Sequence, residues 1–147
     1  MQIVPLTLEL VSQVAAIEAL CFSEPWSPAA YEDACGREGY HYLVAVNDLG
    51  QAVGMCGLIV GPFEAEVMNV AVHPDYRGQG IAKALMEALL ALGQQLAVTE
   101  YTLEVRASNA AAMHIYESCG FVCEGIRPGF YRKPTEDACI MWKRRMN

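Results

Sequence analysis

The sequence predicts one mixed α/β domain of about seven strands flanked by about four helices, and three observations carry that prediction. The periodicities run, in order, strand, two helices, three strands, helix, strand, helix, two strands. Strand and helix alternate through the second half, which predicts a parallel strand pair there. No repeat, low-complexity tract or linker divides the 147 residues, of which 54% are hydrophobic, so a single core of ordinary size is expected over residues 1–147.

Gln2–Leu6 reads as a short strand. Thr7 then serves as a cap for a helix running to Cys21, with Val11, Val14, Ile17 and Leu20 on one stripe. Ser27-Pro28 pairs a capping hydroxyl with proline at the first helical position, and that helix should end near Gly36 or Gly39. Tyr40–Val46 and Gln51–Val60 are the arms of a hairpin turning at Asn47-Asp48-Leu49-Gly50, and Gly61-Pro62 breaks the second arm. Glu66–Val72 is a strand ended by His73-Pro74. From Gly80 to Leu96 the period changes: Ile81, Ala84, Leu85, Ala88, Leu89 and Leu92 give a helix with a wide apolar face. Tyr101–Val105 is a strand, and Asn109–Ser118 a helix stopped by Cys119-Gly120, with Gly120 as a left-handed cap. Val122–Ile126 and Ala138–Lys143 are the closing strands.

Charge narrows the function. The net charge of −7 argues against a nucleic-acid binder, which needs a basic face against phosphates. Residues 1–36 hold five acids and no Lys or Arg, whereas residues 125–147 carry six bases against two acids. The first base is Arg37, so neither a secretory nor a mitochondrial leader is expected, and no apolar run is long enough to span a membrane. The six cysteines show no zinc spacing, no metal is expected, and all six read as reduced thiols of a cytoplasmic protein.

The segment Val70-Ala71-Val72-His73-Pro74-Asp75-Tyr76-Arg77-Gly78-Gln79-Gly80-Ile81-Ala82 is a strand, a glycine turn and an immediate helix start. Small residues let backbone N–H groups approach a ligand, and the helix N-terminus adds free donors and the positive end of its dipole, a fit for a pyrophosphate. The spacing matches neither the P-loop nor the dinucleotide fingerprint. Arg77-Gly78-Gln79-Gly80-Ile81-Ala82 instead resembles the [Q/R]-x-x-G-x-[G/A] signature of the GNAT superfamily of N-acetyltransferases, and the element order resembles that fold along the whole chain.

The resemblance implies a GNAT-type domain whose turn holds the pyrophosphate of acetyl-CoA through Arg77, Gly78, Gln79, Gly80, Ile81, Ala82 and Lys83. It further implies that the main chain of Val70, Ala71 and Val72 faces the acetyl carbonyl and the pantetheine arm. Net charge does not count backbone donors, so an acidic chain can still hold this polyanion.

A second run, Leu103-Glu104-Val105-Arg106-Ala107-Ser108-Asn109 followed by Ile115-Tyr116-Glu117-Ser118-Cys119-Gly120-Phe121, resembles the ribosomal-protein alanine N-acetyltransferases. So do Pro25-Trp26-Ser27 and the ending Tyr131…Asp137-Ala138-Cys139-Ile140-Met141; Cys119 departs from the usual leucine. Carried over by position, Glu104 is the general base, Tyr116 the general acid, and Asn109 a contact of acetyl-CoA. Glu104 stands inside an apolar strand, at an exposed edge or in a cleft. Glu66 is the alternative base. Trp26 either lines the cleft or anchors a loop, and Arg106 either binds substrate or pairs near Glu104.

The expected activity is acetyl transfer from acetyl-CoA to the N-terminal α-amine of a protein, by resemblance the N-terminal alanine of a small-subunit ribosomal protein with a basic tail. The competing readings are an acetyltransferase for lysine side chains or a small amine, and a CoA-binding module without catalysis.

Overall fold

The computed structural model describes residues 1–145. Its frame is a seven-stranded sheet: β1 (Gln2–Pro5), β2 (Tyr40–Val46), β3 (Ala52–Val60), β4 (Ala65–Val72), β5 (Tyr101–Arg106), β6 (Val122–Tyr131) and β7 (Glu136–Lys143). The spatial order is β1-β2-β3-β4-β5-β7-β6. Every neighbouring pair is antiparallel except β4 and β5. The connection between those two must cross the sheet, and a long helix supplies it.

Four helices cover the sheet: α1 (Val11–Cys21), α2 (Pro28–Cys35), α3 (Ile81–Gln95) and α4 (Ala110–Ser118). Helices α1 and α2 bury Val14, Ile17 and Tyr31 against Tyr42, Val44, Met55 and Ala71 on one face. On the other, α3 and α4 bury Ile81, Leu85, Leu89 and Tyr116 against Val67, Leu103, Val105 and Met141. The Leu85, Met86 and Leu89 side chains are fully buried, which fits the wide apolar stripe read from the sequence. Among the described residues no helix is long and apolar enough to cross a membrane.

Local signals hold at most boundaries. Ser27 Oγ accepts the Ala30 N–H at 3.2 Å, with Pro28 beginning the helix. Gly120 closes α4 at φ 97°. Thr7, however, makes no side-chain cap; the chain winds through a 3-10 turn at Leu8–Leu10 before α1 begins. Strand β6 runs on to Tyr131, past the expected end at Ile126, because after an irregularity beyond Arg127 it meets β7 again at Tyr131–Glu136. Cys123 and Cys139 are disulfide-bonded, not free thiols. The antiparallel β6–β7 pairing brings them together, and a register shift between Cys123 and Gly125 offsets Cys123 toward Cys139.

Candidate active site

Strands β4 and β5 are neighbours but, among the described residues, pair only at Ala65–Tyr101 and Glu66–Thr102. Beyond that point both continue, β4 to Val72 and β5 to Arg106, with a wedge between them. Backbone groups on a strand edge need partners. Here the missing neighbour leaves the edge of Val70, Ala71 and Val72 facing the wedge. A β-bulge sets which groups face it: Met55 pairs with Ala71 but Gly57 with Met68, so Asn69 and Val70 together oppose Cys56. Side-chain alternation shifts accordingly. Ala65 and Val67 face the α3 side, and past the bulge Val72 and the partly buried Val70 do.

At the end of β4 a 3-10 turn (Pro74–Tyr76) leads through Arg77-Gly78-Gln79-Gly80 into α3. Gly78 and Gly80 both sit at φ 78°, a region that side-chain-bearing residues rarely adopt, and a Cβ there would meet nothing. Conformation, not space, calls for glycine. Gly80 caps α3 without a side-chain bond, and Ala84 N–H is the first to close back, onto the Gly80 carbonyl at 3.1 Å. The N–H groups of Ile81, Ala82 and Lys83 precede it and are the helix donors that an anion would take. Arg77 folds back: Nε donates to the Val72 carbonyl at 3.3 Å and Nη2 approaches Cys21 Sγ at 3.4 Å. Its guanidinium therefore ties the turn to β4. Lys83 lies toward an open groove shared with Glu87, Tyr101 and Lys143.

Across the wedge the chemistry is in side chains. On β5, Leu103 and Val105 are buried toward α3, so Thr102, Glu104 and Arg106 share the opposite face. Glu104 Oε1 lies 3.6 Å from Arg127 Nη1, contributed by β6. Its Oε2 is buried with no hydrogen-bond partner. A carboxylate oxygen left bare in this way is costly unless a donor arrives. Glu66 lies on the same face; burial pushes its carboxyl up, the Glu104 charge pushes it further, and Arg127 partly offsets both.

Arg106 is a hub. It donates to the carbonyls of Arg132 (2.9 Å) and Pro134 (3.0 Å), to Ser23 Oγ (3.2 Å) and to Glu136 (3.2 Å). Its guanidinium lies 4.6 Å from the Tyr131 ring centre. Ser23 in turn donates to the Arg132 carbonyl at 3.0 Å. Thus one side chain joins the α1–α2 connection to the β6–β7 loop beside Glu104. Glu136 is held below the usual carboxylate range by Ser108 and Arg106.

Tyr116 reaches the region from the other face of the sheet. It is 8% exposed and packs against Phe121. Burial raises its hydroxyl well above the usual phenol range, so it keeps its proton at neutral pH. Tyr131 is pushed up to about 12 by burial and by the Glu104 charge, and it in turn raises Tyr116. Asn109 caps α4, its Oδ1 accepting the Ala112 N–H at 3.1 Å.

Other readings resolve differently. Trp26 anchors a loop, its ring tilted against those of Tyr31 and Tyr42 at centroid distances of 5.2 and 5.8 Å. Cys56 is fully buried and burial pushes its thiol up, which disfavours a nucleophilic thiolate. Sequence reasoning missed Arg127 and the charge role of Tyr131, which approach Glu104 only through the β5-β7-β6 strand order. It also missed Asn69, although a lone amide in Val67-Met68-Asn69-Val70-Ala71-Val72 was a visible signal.

Comparison with known proteins agrees with this geometry. The Acetyltransferase (GNAT) family model matches residues 11–121. The Escherichia coli (strain K12) [ribosomal protein bS18]-alanine N-acetyltransferase is 37% identical over 129 residues, 85% of this chain and 84% of that protein. The Mycobacterium tuberculosis N-alpha-acetyltransferase RimI is 36% identical over 142 residues, 92% of this chain and 87% of its own. The crystal structure of the Escherichia coli ribosomal-protein alanine N-acetyltransferase superposes with a TM-score of 0.88 at 33% identity, covering 99% of this chain and 96% of that one. A sheet parted between β4 and β5, a glycine turn at an open helix start and these relatives together make the chain a member of the GNAT family of acetyltransferases.

Proposed function

We propose that this enzyme transfers the acetyl group of acetyl-CoA to the N-terminal α-amine of a protein, the N-terminal alanine of a small-subunit ribosomal protein. The observation that carries the reading is the buried, unpartnered Oε2 of Glu104 beside the wedge. An amine that must lose a proton is a donor suited to it. The relatives named for ribosomal-protein alanine acetylation support the substrate.

Acetyl-CoA supplies an activated thioester carbonyl. The turn from Gly78 to Lys83 holds its pyrophosphate on backbone N–H groups, and Arg77 keeps that turn against β4. A protein α-amine has a pKa of about 7.7–8.0, so a large share is protonated at neutral pH. Glu104 takes that proton, directly or through a water. The β4 edge at Val70–Val72 offers N–H groups to the negative charge that grows on the carbonyl oxygen, already in place and free of reorganisation. Tyr116, whose proton is retained, gives it to the departing sulfur. Glu66 and Glu104 on one face favour a cationic acceptor, and the acid-rich, base-free stretch 1–36 favours a basic chain behind it.

The test is to incubate the protein with acetyl-CoA and a panel of peptides differing at the N-terminus and in internal lysines, then locate the acetyl group by mass. Acetylation at N-terminal alanine is expected. Acetylation of internal lysines alone, or of free small amines alone, would replace this reading.

A further inference from the structure

Glu18 on α1 is 2% exposed, the sole buried charged residue among the described ones, and none of the reactions above uses it. Among the described residues it has no cationic partner; neutral donors surround it instead. Tyr31 donates its hydroxyl to Oε1 at 2.5 Å, Asn69 Nδ2 donates to the same oxygen at 3.1 Å, and the Trp26 N–H donates to Oε2 at 3.0 Å. Asn69 Oδ1 accepts from the Tyr42 hydroxyl at 2.7 Å. The Tyr42 ring can lie there because β3 has Gly57 beneath it, where a Cβ would collide with the ring.

A buried carboxylate without a counter-ion is an expensive way to fill a core. What this one grips is specific. Asn69 sits at φ 53°, the left-handed region, in the bulge where two residues oppose one. A non-glycine residue stays there only when its surroundings hold it. Three elements, α1, α2 and β2, converge on that side chain through Glu18, Tyr31 and Tyr42. The next residues are Val70, Ala71 and Val72, whose edge faces the wedge. Inserting a residue in a strand exchanges which backbone groups point to which neighbour. The bulge thus decides which N–H groups face the wedge.

The geometry points to Glu18, acting through Asn69, as a positioning residue for acetyl transfer: it fixes the β4 bulge so that the following amides are aimed at the thioester carbonyl. This rests on the reading of the β4 edge given under the proposed function. The charge itself does not favour the reaction, since a carboxylate opposes a growing oxyanion. Its use is that it accepts from three donors and presents none. In Glu18→Gln the amide nitrogen must face a donor at one end.

The experiment combines kinetics with amide spectra. In Glu18→Gln, kcat per folded molecule should fall about tenfold, as expected for misaimed donors, while KM for the peptide and affinity for CoA stay within about twofold. Asn69→Gly keeps the left-handed backbone accessible and loses only the anchor, so its kcat should lie above that of Asn69→Ala, which loses both. In 15N–1H spectra the Val70 and Val72 amides of the wild type should shift with acetyl-CoA relative to CoA alone, and Glu18→Gln should blunt that response.

A Glu18→Gln enzyme with wild-type kcat and the same amide response overturns the proposal. If that variant does not fold, Asn69→Gly and Asn69→Ala decide, and equal kcat in the two overturns it. If the wild-type amides ignore the acetyl group, the β4-edge reading falls and this proposal with it.

Discussion

The two walls of the wedge are built in opposite ways. The β4–α3 wall offers main-chain groups: a strand edge without a neighbour, two glycines at φ 78° and a helix start without a side-chain cap. The β5 wall offers side chains. Glu104 and Arg106 are linked to Arg127, Tyr131, Glu136 and Ser23 from distant parts of the chain, and Glu66 on β4 shares their face of the sheet. One wall is therefore built by conformation and the other by charge. Substitutions should separate them: changes to β5 side chains should affect the acceptor and its proton, and changes to the turn should affect the CoA half.

The largest effect is expected at Glu104. Glu104→Gln keeps shape and removes the proposed base, so turnover of an N-terminal peptide should drop about a hundredfold or more while CoA affinity holds. Tyr116→Phe removes the proposed proton donor, which sulfur needs less than the amine needs its base, and about a tenfold loss is expected. Equal turnover in wild type and Glu104→Gln would move the base elsewhere on the same face of the sheet, with Glu66 next in line.

Arg106 tests whether the acceptor wall is one connected unit. Arg106→Ala cuts the links to Ser23, Arg132, Pro134 and Glu136 at once. KM for the peptide should rise about tenfold, as is common when hydrogen bonds to a charged group are lost, with CoA affinity unchanged. Arg106→Lys should recover little, because one ammonium cannot span the same set of acceptors. A rise in the KM for acetyl-CoA instead would erase the division between the walls.

The same division explains what could be read from the sequence. The glycine turn is a local object, since Gly78, Gly80 and the helix start lie within a few residues, and its conformation follows from residue type. Ser27-Pro28 and Gly120 were legible for that reason. The place of Glu104 was legible as a charge in an apolar strand and that of Tyr116 as a helix position, while the roles given to them come from the family pattern and belong to the proposal. Arg127 and Tyr131 were not legible, because they reach Glu104 only after β7 inserts between β5 and β6, a fact of strand order without a local signature. The Cys123–Cys139 bond depends on a register shift in that same β6–β7 pair. Thr7 shows the reverse failure: a good capping residue whose helix starts four positions later, after a 3-10 turn.

The turn wall should respond more mildly. Gly80→Ala forces a Cβ into φ 78° at the start of α3. A left-handed conformation costs a non-glycine residue about 1–2 kcal/mol. If the helix start relaxes to avoid that cost, its N–H groups leave the pyrophosphate. KM for acetyl-CoA should rise about fivefold, with little change in peptide KM at saturating acetyl-CoA. Because no titrating side chain is involved, this effect should be independent of pH.

Glu66 supplies the smallest effect and the complementary pH-dependent one. Burial and the Glu104 charge raise its carboxyl above the ordinary value of 4.5. The folded chain therefore holds that proton to higher pH than the unfolded chain does. Across the window that opens near 4.5, the folded state binds more protons, so this group's contribution to stability falls as pH rises and then levels off above the folded pKa. Glu66→Gln removes the titration. Thermal unfolding of the two proteins from about pH 4 to about pH 7 should show the variant gaining on the wild type as pH rises, with the gain reaching a plateau. The magnitude should stay under about 1 kcal/mol, because Glu66 is only half-buried and Arg127 offsets part of the repulsion. A difference that is flat with pH would mean that the two carboxylates do not share a field. The acceptor wall would then be a set of separate side chains and not one charged surface.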